Sequence, residues 1–219
     1  MATLIWAGST ANIAFPLVAG ITLSTWVSAL YVSLTMTILR ETKALGPHDN
    51  MEILTCVLKG TISHKDSMGN SGDIKAGEWQ LMSAGSGIQH SEMNQYDEDV
   101  HLLQIWIHSN QRDAVPTYQQ IECDVTKQPN QWHVIAGAND NAHMHLRQNA
   151  EVKSALLEQD QILSVKAEYG LNYVHVIHGA VEIGEHLVKA GDALLFRDVA
   201  EIKALNDAQM IWFDLPEKA

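Results

Sequence analysis

From about His48 onward the chain writes one phrase twice, and that repetition limits the folds open to it. Lys59-Gly60-Thr61-Ile62 is echoed by His178-Gly179-Ala180-Val181, and Lys75-Ala76-Gly77-Glu78 by Lys189-Ala190-Gly191-Asp192. Each copy reads as a strand, a glycine and a second strand, followed by a tight turn. Around these phrases lie short apolar runs broken by Gly, Asn and Asp. Residues 51–58, 61–65, 78–82 and 101–108 read as strands, with Ser67-Met68-Gly69-Asn70 as a turn. Many short strands at regular spacing indicate a sandwich or barrel. Two copies indicate duplicated barrels, since a solenoid needs three or more repeats. The 219 residues suffice for two such domains. The expected fold is therefore all-β, two tandem barrels with minor helix. Pro116-Thr117-Tyr118 marks the end of the first barrel and residues 112–130 the crossover, giving domains 1–120 and 121–219.

Charge and cysteine use narrow the function classes. A net charge of −12 argues against direct contact with nucleic acid or an anionic membrane, which need a basic footprint. An acidic surface still suits a basic protein partner. Cys56 and Cys123 are far apart with no paired-thiol spacing, so neither a disulfide framework nor a thiolate zinc site is expected. A reducing cytoplasm is the natural compartment.

Residues 1–39 contain no Asp, Glu, Lys, Arg or His. Residues 13–39 are long enough to cross a bilayer, but Pro16, Gly20 and many Ser and Thr make them only modestly hydrophobic. No positive region precedes them as a secretory signal requires. A membrane anchor is the minority reading. A frameshift is another: in the shifted frame Trp26-Val27 forces a Gly codon and Met36-Thr37 an Asp codon.

The chemistry-bearing residues are His48 in GPHDNME and His90-Ser91-Glu92 in SAGSGIQHSEMN. Residues i and i+2 on a strand share a face, so His90 and Glu92 aim into one barrel together. His48, on a strand that can neighbour theirs, completes two imidazoles and one carboxylate. With open positions remaining, that set suits a non-haem Fe(II) site, and mixed N and O ligands also admit Mn, Ni, Cu or Zn. Gly85 and Gly87 read as the turn that delivers His90 inward. His64 reads as a surface strand histidine, although it could face the same cavity. Met51, Met82 and Met93 read as apolar walls near the site. His143-Met144-His145 has metal-like spacing, but no His/Glu pair follows near Asp198, so it reads as a loop tip and the second barrel as lacking metal.

The run MEILTCVLKGTISHKDSMGNSGDIKAGEWQLMSAGSGIQHSEMN closely resembles the first cupin of bacterial pirin-like proteins, some of which act as quercetin 2,3-dioxygenases. The AGxGIxHSE phrase is its most specific part. HLLQIWI (residues 101–107) and MIWFDLP (210–216) are similar to that family as well. The resemblance runs from Pro47 to the end and implies a bicupin, two jelly-roll-like barrels with the metal in the first. Pirins bind their metal with two histidines of an HPH motif and with the His and Glu of HSE. Carried over, these are His48, His90 and Glu92, while the first HPH position is Gly46, which has no side-chain ligand. Glu52, four residues after His48, is not a ligand in the pirin pattern; it remains a candidate proton acceptor or compensating ligand.

The resemblance thus implies a metal-dependent dioxygenase that acts on a flavonol-like aromatic substrate, with Glu52 and Glu92 as catalytic candidates. It leaves a rival, a non-catalytic metal- or redox-sensing regulator bound to a protein partner. The Gly46 departure adds a third reading, a site impaired in metal binding.

Overall fold

The computed structural model describes residues 46–217 in full and, before them, the backbone of four strands. The chain divides into two compact units, Ser9–Cys123 and Asp124–Ala219 joined by Met1–Gly8. Strand β1 (Leu4–Trp6) pairs within the latter.

The Ser9–Cys123 unit is built of β2 (Thr22–Val27), β3 (Val32–Leu39), β4 (Lys43–His48), β5 (Met51–Lys59), β6 (Thr61–Asp66), β7 (Ser71–Lys75), β8 (Glu78–Ser83), β9 (Ile88–Met93), β10 (Val100–His108) and β11 (Thr117–Glu122). They form a six-stranded sheet, β11-β8-β5-β10-β3-β2, and a four-stranded sheet, β4-β9-β6-β7. The stretch expected to be only a crossover therefore contributes β11, an edge strand beside β8. It also contains a single 3-10 turn, Val125–Lys127, capped by Asp124.

The other unit holds β12 (His133–Gly137), β13 (Met144–His145), β14 (Glu151–Leu157), β15 (Ile162–Val165), β16 (Gly170–His178), β17 (Ala180–Ile183), β18 (His186–Lys189), β19 (Ala193–Phe196), β20 (Ala200–Ala204) and β21 (Ala208–Pro216). Its sheets run β1-β19-β16-β21-β14-β12-β13 and β15-β20-β17-β18. The order β8-β5-β10-β3-β2 is thus repeated as β19-β16-β21-β14-β12, and β4-β9-β6-β7 as β15-β20-β17-β18. The duplication seen in the sequence is a duplication of topology.

The echoed glycines show why the phrase recurs. Gly60 and Gly179 link β5 to β6 and β16 to β17 with φ of 77° and 80°. A Cβ would lie 2.9 Å from the Asp99 carbonyl oxygen at Gly60 and 2.3 Å from that of Asp207 at Gly179. Only glycine combines that backbone with that closeness.

Each unit buries an apolar layer between its two sheets. In the first, Val57 and Leu102 from the larger sheet meet Ile62 and Ile74 from the smaller. Ile62 is fully buried, so truncating it to Ala costs roughly 2–5 kcal/mol. The second has a larger layer, with Val174, Val176, Leu194, Met210 and Trp212 facing Val181, Ile183 and Ile202.

The charge-free N-terminal stretch enters the fold as backbone strands β2 and β3, and β3 pairs with β10 from Val32 to Leu39. VSLTMTIL alternates apolar and polar residues, the period of a strand. Among the described residues no helix is long and apolar enough to cross a membrane. The remainder of residues 1–42 lies outside the described residues.

Candidate metal centre

Strand alternation and register fix which side chains share the interior of the Ser9–Cys123 unit. On β9, Ile88, His90 and Glu92 are buried while Gln89 is exposed. On β6 the buried positions are Ile62, His64 and Asp66. Glu92 lies directly across from His64, and His90 from Asp66. On the other flank β4 sets Gly46 across from His90 and His48 across from Ile88. The smaller sheet therefore presents His48, His64, Asp66, His90 and Glu92 on one face. The turn before β9 has positive φ at both Gly85 and Gly87, as expected.

Opposite them, the larger sheet sets one polar residue per strand in register: Gln80, Thr55 and Gln104. All three grip Glu92. Gln80 Nε2 donates to its Oε1 at 2.9 Å, Thr55 Oγ1 to the same oxygen at 3.4 Å, and Gln104 Nε2 to Oε2 at 2.9 Å. Trp106 Nε1 donates to Gln104 Oε1 at 3.0 Å, which turns the amide so that its NH2 faces the carboxylate. Such donors are spaced to hold the carboxylate in one orientation.

His64, His90 and Glu92 are all buried, and each offers a ligand atom within 4.8 Å of the other two. The Nδ1 atoms of His64 and His90 are buried without a hydrogen-bond partner among the described residues. His48 adjoins this group: its ring centroid is 5.1 Å from that of His90 and 4.9 Å from that of Trp106. A buried carboxylate beside imidazoles with unused nitrogens is a donor set that fits a divalent transition metal.

Burial lowers the pKa of His90 from its ordinary value, and the His64 imidazole adds to the effect against the opposing pull of Glu92 and Asp66. Burial, with His90 nearby, lowers that of His48. Both shifts favour the neutral imidazole, the form that ligates metal. Tyr118, stacked on His64 at 4.9 Å, has its phenol pushed up to about 12, by burial and by the charges of Glu92, Asp66 and Glu78.

Above the polar row lies an apolar one. Ile53, Met82, Ala84 and Ile88 cluster there with Met51 and Trp106 against them. Met51 and Met82 are thus the expected wall, whereas Met93 neighbours Glu92 on β9 and points to the other face.

Of the residues singled out in the sequence, the structure brings His90 and Glu92 into one group and sets His48 at its edge. His64 corrects an expectation: it is 3 % exposed and inside the group, not on the surface. Glu52 stands apart. It is three residues from Thr55 on an unbroken stretch of β5, so it faces the opposite side of the sheet, where Ser83 Oγ donates to it at 2.7 Å. Thr55, Gln80 and Gln104 were not anticipated. Their signal is a lone polar residue in the middle of an otherwise apolar strand.

The chain matches the family described as Pirin over residues 34–107, and the quercetinase C-terminal cupin domain over residues 133–215. It is 38 % identical over 174 residues to a quercetin 2,3-dioxygenase of Escherichia coli strain K12, covering 78 % of this chain and 74 % of that protein. A pirin-like protein of Caulobacter vibrioides is 33 % identical over 177 residues, covering 77 % and 75 % of the two chains. Among solved structures, YhhW from Escherichia coli superposes with a TM-score of 0.85 at 27 % identity, covering 98 % of both chains. The same bacterial pirin in complex with nickel(II) gives a TM-score of 0.79 at 30 % identity, over 98 % of this chain and 92 % of that one.

Proposed function

The chain belongs to the pirin family of bicupins, and from that premise we propose that it is a metal-dependent dioxygenase acting on a flavonol-like aromatic substrate. The observation that carries this reading is Glu92, buried and held by three donors beside unpartnered imidazole nitrogen, directly below an apolar wall. His90, Glu92 and His48 would hold a divalent transition metal, Fe(II) being the proposed ion. The nickel-bound pirin relative supports a divalent metal in general. Once bound, the ion supplies Lewis acidity toward a hydroxy-keto chelate and access to dioxygen.

The chain's own residues do the rest. Met51, Ile53, Met82 and Trp106 accept a flat ring and exclude water from it. Thr55, Gln80 and Gln104 fill three of the four acceptor sites of the Glu92 carboxylate and fix its orientation, so the one left, on Oε2, would serve the ion or, on exchange, the substrate's hydroxyl proton. Glu52 is given no part in that transfer, because the sheet stands between it and Glu92. The Asp124–Ala219 unit is read as a cupin without metal.

The test is oxygen uptake by protein loaded anaerobically with Fe(II) or Ni(II) and supplied with quercetin or related flavonols. Consumption that disappears in Glu92→Ala is expected. No uptake with any flavonol and either metal would contradict the reading.

A further inference from the structure

We infer that His64 is itself a metal ligand, with Asp66 locking its ring in the ligating tautomer, and that it provides the coordination Gly46 cannot give. The inference rests on the metal-site reading above and extends its ligand set.

The two flanks of β9 differ. On the β4 side, the residue across from His90 is Gly46, which offers no donor atom. A Cβ there would lie 3.1 Å from His48 Nε2, so the His48 ring borders that empty place. On the β6 side, His64 lies across from Glu92 with its side chain fully buried. His64, His90 and Glu92 place their ligand atoms within 4.8 Å of one another. Donors each about 2.1 Å from a shared ion lie roughly 3–4.2 Å apart, so small side-chain rotations close the set.

The tautomer follows from Asp66. His64 Nε2 is 3.3 Å from Asp66 Oδ2. The Asp66 carboxylate also accepts from Met68 N at 2.9 Å, Asn70 N at 3.0 Å and Asn70 Nδ2 at 2.8 Å. A carboxylate gathering three N–H donors stands as an acceptor toward His64 as well, so the imidazole N–H of that contact is on Nε2 and the Nδ1 lone pair is left free. That Nδ1 is buried with no hydrogen-bond partner among the described residues. A buried acceptor left unpaired is unfavourable, and an ion at Nδ1 would relieve it. Tyr118, stacked on the ring at an interplanar angle of 30°, fixes its plane. A carboxylate that orients a histidine toward metal is the usual supporting arrangement of metal sites.

The experiment is Ni(II) titration with X-ray absorption on the full chain, comparing wild type with His64→Gln, Asp66→Asn and the double variant Gly46→His/His64→Gln. Three imidazoles are expected around nickel in wild type and two in His64→Gln. Affinity should fall more than 100-fold in His64→Gln and roughly 10-fold in Asp66→Asn. The double variant should regain the third imidazole. Nickel bound by two imidazoles in wild type, with unchanged affinity in His64→Gln, overturns the inference and leaves the proposed function standing. Wild type that takes up no metal overturns both. The wild-type imidazole count decides the matter even if a variant fails to fold.

Discussion

Counted from the matched glycines, the position of His64 in the first unit is that of Ile183 in the second, and the residue across from it is Glu92 in one and Ile202 in the other. One pleat along, His90 becomes Ala200 and Gly46 becomes Val165. On the facing sheet, Gln80, Thr55 and Gln104 become Leu194, Val174 and Trp212. All but the partly buried Ala200 belong to one apolar cluster of buried residues. One topology thus holds a polar, carboxylate-centred interior in one copy and a dry core in the other. The scaffold does not create the site. What creates it is a complete set: the carboxylate, its three donors and its imidazoles change together, because a partial set would bury polar groups without partners.

The sharpest way to break this comparison is to move one member across. Ile202→Glu places a carboxylate at the counterpart of Glu92 with Val174, Leu194 and Trp212 in place of its donors. It should destabilise the protein by roughly 3–5 kcal/mol, read from urea denaturation. A loss under 1 kcal/mol would show that the interiors differ less than their residues imply.

Buried histidine offers the next test. His175 in the second unit has no partner for either ring nitrogen among the described residues, and burial lowers its pKa to about 4. Its unfolded value is higher, so below about pH 6.5 the unfolded chain takes up a proton that the folded one refuses. Stability should be flat above that pH and fall by roughly 3 kcal/mol on acidification to pH 4. His175→Leu should remove most of that slope, and an unchanged slope would assign it elsewhere.

The smallest expected effect lies at the support of Glu92. Gln104→Leu copies the apolar choice of the second unit and removes one donor, so metal affinity should drop about 10-fold by competition titration. Unchanged affinity would mean that Thr55 and Gln80 suffice.

Much of this was legible in the sequence, and the exceptions have physical causes. The glycine-marked phrases exposed the duplicated strands, and the i, i+2 spacing of His90 and Glu92 put both on one face. Glu52 was drawn toward the site by its distance from His48. Between them Asp49-Asn50, with Asn50 at φ 48°, carries the chain from the smaller sheet to the larger and resets the alternation. Spacing across such a break carries no facing information. His64 was hidden because TISHKD alternates equally well in either phase. The buried Ile62 sets that phase, and only the pairing with β9 shows which partner it faces. Gln80, Thr55 and Gln104 sit on separate strands, and register alone makes them a row.

The most direct test of the central claim, a metal held in the first unit alone, is native mass spectrometry of the chain after anaerobic Fe(II) loading, beside Glu92→Ala. One ion per chain in wild type and none in the variant is the predicted result. An empty wild type, or an ion retained without Glu92, would contradict the account.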